Sequence, residues 1–153
     1  MASLMAHVTC APDKLAVIHE YYACFNERRF DDAARLFAEH AVLEQMPFSC
    51  RERGGSAYLL FAGAWTRGFP DAHVSVERVV ERSPTVFEVD LVGTGRQDGD
   101  LVFGACVIKA TGLPVVLHLR ELLEVQPHGI TMSCVSFDFQ ELVQQLARRE
   151  RSA

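Results

Sequence analysis

The sequence predicts an α+β domain in which helices come first and an antiparallel sheet follows. Three observations carry this reading. Apolar residues recur at three- and four-residue steps through the first third of the chain, the period changes to two from residue 72, and turn signals then recur at short intervals. A last amphipathic stretch returns to the helical period.

In "PDKLAVIHEYYACFNERRF", Leu15, Ile18, Tyr22 and Phe25 mark one helix face, and Pro12 with Asp13 supplies the start. A short second helix follows, with Asp31 or Asp32 as its cap and Ala34, Leu36 and Phe37 as its apolar contacts, before "AVLEQM" turns extended. "GSAYLLFAGAWTRGF" is the third helix, with Tyr58, Phe61, Ala62, Trp65 and Phe69 along one side. Five strands are expected near 73–82, 85–95, 100–110, 114–125 and 130–137. The breaks between them are Ser83–Pro84, Asp98–Gly99, Thr111–Gly112 and Pro127–Gly129, and connections this short imply antiparallel neighbours.

Phe87, Val89 and Leu91 form an apolar stripe, with Val86, Glu88, Asp90 and Val92 on the other face, where Glu88 and Asp90 are expected in water or at a subunit contact. "LVFGACVI" is apolar on both faces and is expected to be buried on both. "FDFQELVQQLARR" closes the chain as a helix, with Asp138 as its cap and Glu141 at capping-box spacing. Residues 1–11 read as a loose tail and 12–149 as a single domain. Three helices cover one face of the sheet, so a second copy of the chain is the expected cover for part of the other, in a homodimer.

Composition removes several function classes. No apolar run is long enough to cross a bilayer, and "MASLMAHVTC" lacks the basic start of a secretory signal, so a cytoplasmic location with no membrane partner is expected. A net charge of −5, with "ARRER" as the one basic cluster, gives no footprint for nucleic acid. Five cysteines (Cys10, Cys24, Cys50, Cys106, Cys134) contain no C-x-x-C pair and read as reduced thiols. Six histidines without ligand spacing give no metal site, and no cofactor is expected.

One residue breaks the pattern. In "LHLRELLEV" the odd positions are Leu117, Leu119, Glu121, Leu123 and Val125, so a lone carboxylate stands on an apolar stripe. Burial there penalises the charged form, which suits a group that donates a hydrogen bond or moves a proton. A structural role, bonded to a hydroxyl, an arginine or the backbone, is the alternative, and Arg120 points to the opposite face.

Three stretches, "YYACFNERRFDDAARLFAEHAVLEQM", "GFPDAHVSVERVV" and "FDFQELVQQL", resemble the SnoaL-like branch of polyketide cyclases within the nuclear-transport-factor-2-like superfamily, with more distant similarity to ketosteroid isomerases. The resemblance implies a cone: a strongly curved antiparallel sheet around the long helices, forming an α+β barrel with an apolar pocket, often in a dimer. In that pattern Glu121 takes the place of a pocket histidine and Val135 the place of an aspartate. Tyr21 falls where ketosteroid isomerases carry their oxyanion-donating tyrosine, and Gln45 falls where they carry their general base. Their protonated aspartate falls near Arg120 or Glu121, and Arg96 to Asp98 gives no counterpart to the epoxide hydrolase arginine and aspartates.

The resemblance therefore implies Glu121 and Tyr21 as catalytic candidates, with Gln45, Tyr58, Phe61, Trp65, Phe69, Leu119 and Val135 around a hydrophobic small molecule. Two functions stay open: a cofactor-independent cyclase or isomerase moving a proton on an apolar carbonyl compound, and a non-catalytic dimeric binder or carrier of such a molecule.

Overall fold

The computed structural model describes residues 13–46 and 50–151. Its elements are α1 (Lys14–Asn26), α2 (Phe30–Arg35), β1 (Phe37–Met46), β2 (Cys50–Arg53), α3 (Gly54–Gly68), β3 (His73–Glu81), β4 (Val86–Arg96), β5 (Leu101–Phe103), β6 (Cys106–Ile108), β7 (Pro114–Gln126), β8 (Gly129–Phe137) and α4 (Phe139–Arg151). The expected tail, Pro12 and Cys10 lie outside the described residues, while Cys24, Cys106 and Cys134 are free thiols.

The helices begin where polar side chains meet orphan amides. Asp13 caps α1 by accepting from the Leu15 amide at 3.0 Å. Asp138 caps α4 by accepting from the amides of Gln140 at 2.9 Å and Glu141 at 3.3 Å. Asp138→Ala is expected to cost about 1 kcal/mol of unfolding free energy, measured by denaturant titration, because those two donors then lose their acceptor. The short second helix differs from expectation. Its N-cap is Arg29, without a side-chain cap, and Asp31 and Asp32 sit in the first turn, where they favour the positive end of the helix dipole. Leu15, expected on the buried face of α1, is 44% exposed, and Tyr21 is buried alongside Ile18, Tyr22 and Phe25.

Six strands form one sheet in the order β2-β1-β8-β7-β4-β3. The sheet is mixed rather than wholly antiparallel, because β1 runs parallel to β8, with Leu43 beside Ser133 and Gln45 beside Val135. Chain reversal through the α3-containing excursion lets the first and last long strands lie side by side, which local turn signals do not encode. β7 is the central strand, pairing along its length with β4 and with β8; Glu121 lies opposite Val89 on one side and Val135 on the other. One sheet edge is closed by a side chain: Asn26, at the end of α1, donates to the Val74 carbonyl at 2.9 Å and accepts its amide at 2.8 Å. Gln145 of α4 holds the Val116 backbone the same way, at 2.9 and 2.7 Å.

The single strand expected over 100–110 is instead a separate hairpin, β5–β6, turning at Gly104 with φ +58°. Glycine takes that backbone without a Cβ clash, and once the run folds back on itself Leu101 is fully buried while Val107 is half exposed. Gln97, also buried, ties the hairpin base: its Nε2 donates to the Ile108 carbonyl, and its Oε1 accepts from the Thr111 amide and hydroxyl. Gly99 is needed for contact, since a Cβ there would lie 2.1 Å from the Arg67 carbonyl oxygen at the end of α3.

Phe87, Val89 and Leu91 of β4 are buried under α1 and α3, as their alternation requires. A second apolar cluster joins Trp65, Phe69, Val115 and Leu117 to Leu142 and Leu146 of α4. On the outer face, Glu88 is not left in water. Its side chain is 14% exposed and pairs with Arg82 at 3.0 Å and Arg120 at 3.6 Å, while Asp90 takes a 2.9 Å bond from Arg120. Among the described residues no helix is long and apolar enough to cross a membrane.

Candidate active site

Glu121 lies on the inner face of β7 because Leu117, Leu119 and Leu123 share its parity, and it is 3% exposed. Three hydroxyls surround it. Tyr21 Oη donates to Oε2 at 2.9 Å, Ser133 Oγ donates to the same oxygen at 2.5 Å, and Tyr22 Oη donates to Oε1 at 2.9 Å. Arg120 leaves by the opposite face and bonds Asp90, so among the described residues Glu121 meets hydroxyls and no guanidinium.

These contacts set opposing pulls on the carboxyl. Burial raises its pKa, the hydrogen bonds from Ser133, Tyr22 and Tyr21 lower it, and the net result stands above the ordinary glutamate value. The phenols respond in kind: burial and the neighbouring carboxylate push Tyr21 and Tyr22 well up, and Tyr58 up as well, so all three keep their protons at neutral pH. A carboxylate offers about four lone-pair positions. Three are filled, and among the described residues Oε1 receives Tyr22 alone, which leaves one position open on it.

An inner cavity of about 80 Å³ lies between α1 and α3 on one side and β4, β7 and β8 on the other. Glu121, Tyr21, Tyr58, Phe61, Trp65, Phe69, Leu119 and Val135 all line it. The sequence signals that bring them together are simple: period two on β7 and β8, and α3 presenting Tyr58, Phe61, Trp65 and Phe69 at helical spacing. Trp65 is held between rings, 5.1 Å from Phe103 and 5.4 Å from Phe137, each edge to face. Tyr58 packs 5.5 Å from Tyr21 and 5.6 Å from Phe37. Yet Tyr58 Oη and Trp65 Nε1 are buried without a hydrogen-bond partner among the described residues. Both are donors, and both residues line the cavity, so either offers its N–H or O–H to an acceptor.

Gln45 does not reach this cavity. It lines a second cavity, of about 360 Å³, with Glu44, Arg67 and Ser133. Tyr21 was expected as an oxyanion donor, but its proton is directed at Glu121. Two partners escaped the sequence reading: Tyr22, treated as part of the apolar stripe, and Ser133, which stands two residues before Val135 and so shares its face by the same period. His73, exposed at the inner cavity's wall, was also missed, since nothing in its neighbourhood signals a pocket.

Comparison with known proteins agrees with this architecture. A family model described as SnoaL-like polyketide cyclase matches residues 15–146. No curated protein sequence matches the chain. Among solved structures, IdmH from Streptomyces antibioticus, a candidate polyketide cyclase, superposes with a TM-score of 0.74 at 18% identity, covering 89% of this chain and 99% of that one. A candidate SnoaL-like polyketide cyclase from Shewanella putrefaciens gives 0.71 at 14% identity, covering 96% and 94%. A ketosteroid isomerase-like protein from Catenulispora acidiphila, solved with trimethylamine, gives 0.70 at 13% identity, covering 86% and 92%.

Proposed function

Because the chain belongs to the SnoaL-like polyketide cyclase family, we propose that it is a cyclase- or isomerase-type enzyme in which Glu121 exchanges a proton with an apolar carbonyl compound in the inner cavity. The observation that carries this is a buried carboxyl with three hydroxyl donors and, among the described residues, no cationic partner, in a cavity that two unpaired donors also line.

The step follows from those groups. Glu121 takes the proton α to the carbonyl; the C–H electron pair becomes the enolate double bond, and the carbonyl π pair moves onto oxygen. Tyr58 Oη, which has no hydrogen-bond partner among the described residues, donates to that oxygen, the role that Tyr21 cannot fill while it serves Glu121. Where a C=C is conjugated with the enolate, returning the proton from Glu121 at its far carbon isomerises the compound; attack of the enolate carbon on a second carbonyl closes a ring, the π pair of that carbonyl moving to its oxygen, which takes the proton back from Glu121. Carboxyl and hydroxyl groups suffice for either outcome, and the apolar walls keep bulk water from the enolate.

The test is deuterium uptake from heavy water into the α positions of a cyclic ketone, followed by mass spectrometry with and without the protein. Exchange should rise with pH, with its acid limb above the ordinary carboxylate range. Ser133→Ala should move that limb to still higher pH, because Ser133 helps hold the Glu121 carboxylate. No exchange above the buffer rate would remove the enzyme reading. The remaining reading is a carrier in which Tyr58 and Trp65 orient a carbonyl ligand that leaves unchanged, and a ligand recovered intact from purified protein would favour it.

A further inference from the structure

A carboxyl that takes a proton from a ligand also has to trade protons with water, and a ligand that fills the inner cavity blocks the direct route. Glu121 is 3% exposed, and rings and aliphatic chains make up most of the wall around it. One of its hydroxyl partners faces elsewhere. Ser133 lines the second cavity and not the inner one, while its Oγ lies 2.5 Å from Glu121 Oε2.

The second cavity suits water. A water molecule needs polar partners and roughly 10–15 Å³ of free volume. The second cavity, of about 360 Å³, has that room many times over, with Glu44, Gln45, Arg67 and Ser133 in its wall. It also reaches the surface, because Leu60, 71% exposed, and the exposed Arg67 line it. Gln45 is 6% exposed, and its Nε2 has no hydrogen-bond partner among the described residues, so it offers an anchor for a water oxygen. β1 places Leu43 beside Ser133 of β8, and Gln45, two residues on, shares the face of Leu43. Gln45 and Ser133 are therefore diagonal neighbours on one wall, and a single water oxygen between them can accept from both.

We infer that Ser133 is a proton relay, carrying the proton that Glu121 takes up in the inner cavity to water anchored by Gln45 in the second one. Glu121 captures the proton on Oε1, and a half-turn of the carboxyl, whose terminal torsion is broad and two-fold, brings that oxygen to Ser133. The carboxyl O–H proton then passes to Ser133 Oγ as the Ser133 hydroxyl proton passes to the water. What is left is a carboxylate, a serine hydroxyl directed at it, and a hydronium ion whose charge the surface water takes away. The first two are the arrangement in the structure, where Ser133 Oγ donates to Glu121 Oε2. The same path in reverse reprotonates Glu121. The inference rests on the acid/base reading of Glu121 and adds to it the exit for its proton.

The test follows a label through isomerisation in ordinary water. The probe is cyclohex-3-enone deuterated on the carbon between carbonyl and double bond. Mass spectrometry and NMR divide the product into molecules that received the deuteron back at the far carbon and molecules that received a proton from water. With the relay working, water-derived product should dominate in wild type. Ser133→Ala should raise the ratio of returned to exchanged label about 10²-fold, the lower end of what a positioned proton carrier contributes, at a pH above the acid limb of both proteins. Tyr21 lines both cavities too, and the variant leaves it in place, so the two hydroxyls are separated. Ser133→Thr, which keeps the hydroxyl, should hold the wild-type ratio. An unchanged ratio in Ser133→Ala, or a Ser133→Thr that follows Ser133→Ala, overturns the relay and leaves Glu121 as the base. Should Ser133→Ala fail to fold, Gln45→Met removes the water's anchor without touching the Glu121 hydrogen bonds and should raise the same ratio; no rise there overturns the relay as well. Neither isomerised product nor loss of label in wild type would remove the acid/base reading itself.

Discussion

Glu121→Gln lowers α-proton exchange by about 10²–10⁴-fold, the usual contribution of a positioned acid or base, while the protein stays folded. Glutamine keeps the length and shape of glutamate but cannot take up a proton near neutrality. Its carbonyl oxygen still accepts from a hydroxyl, and the rotating hydroxyls of Tyr21, Tyr22 and Ser133 can turn to accept from its amide. An unchanged exchange rate in Glu121→Gln would leave the carboxyl a structural member of a polar cluster.

The same variant carries a stability signature. The folded-state pKa of Glu121 is raised, so below the unfolded carboxyl pKa both states are protonated and the buried group is neutral. As pH rises from the ordinary glutamate value through the raised one, the unfolded chain gives up its proton first, and stability falls across that window. Glutamine has no such window. Denaturant midpoints should therefore show wild type losing ground to Glu121→Gln as pH rises, and a constant gap between them would argue against a raised carboxyl.

Phe87→Ala should cost about 3–5 kcal/mol, and about 6–20 °C in Tm for a chain of this size. Phe87 is 2% exposed, lies opposite Glu81 on β3 and Leu123 on β7, and belongs to the cluster beneath α1 and α3. Removing the ring leaves a hole that rigid strands on both sides cannot close. Val107→Ala on the exposed side of the hairpin should stay within about 0.5 kcal/mol. A Phe87→Ala loss as small as that would mean the cluster is not the folding core.

What could be read in advance follows from the range of each signal. Glu121 was visible because alternation on a strand is local, whereas its pairing with Val135 was not, since an irregularity between Glu124 and Val125 shifts the register that the turn at Pro127–Gly129 sets. Asp13 and Asp138 were visible as caps for the same reason. The parallel pairing of β1 with β8 was not, since partner choice between segments about 90 residues apart leaves no periodic trace. Nor was β2, whose four residues, Cys50–Arg53, show no apolar alternation at all. "LVFGACVI" misled because a strand buried on both faces and a hairpin wrapped around a glycine present the same apolar run. At the site, the ring wall of α3 was legible, whereas the hydroxyl of Ser133 was hidden by a residue type that usually faces water.

The adjacency of β1 and β8 also sets an order of assembly. Tyr21 meets its carboxylate across 100 positions of chain, and the sheet neighbour of Phe37–Met46 is made well after it. Until that segment arrives, Phe37, Ala41 and Leu43 have no strand to lie against on that side. The polar cluster therefore cannot be complete before Ser133 is made, and nascent chains stopped before residue 129 would leave that edge of β1 uncovered.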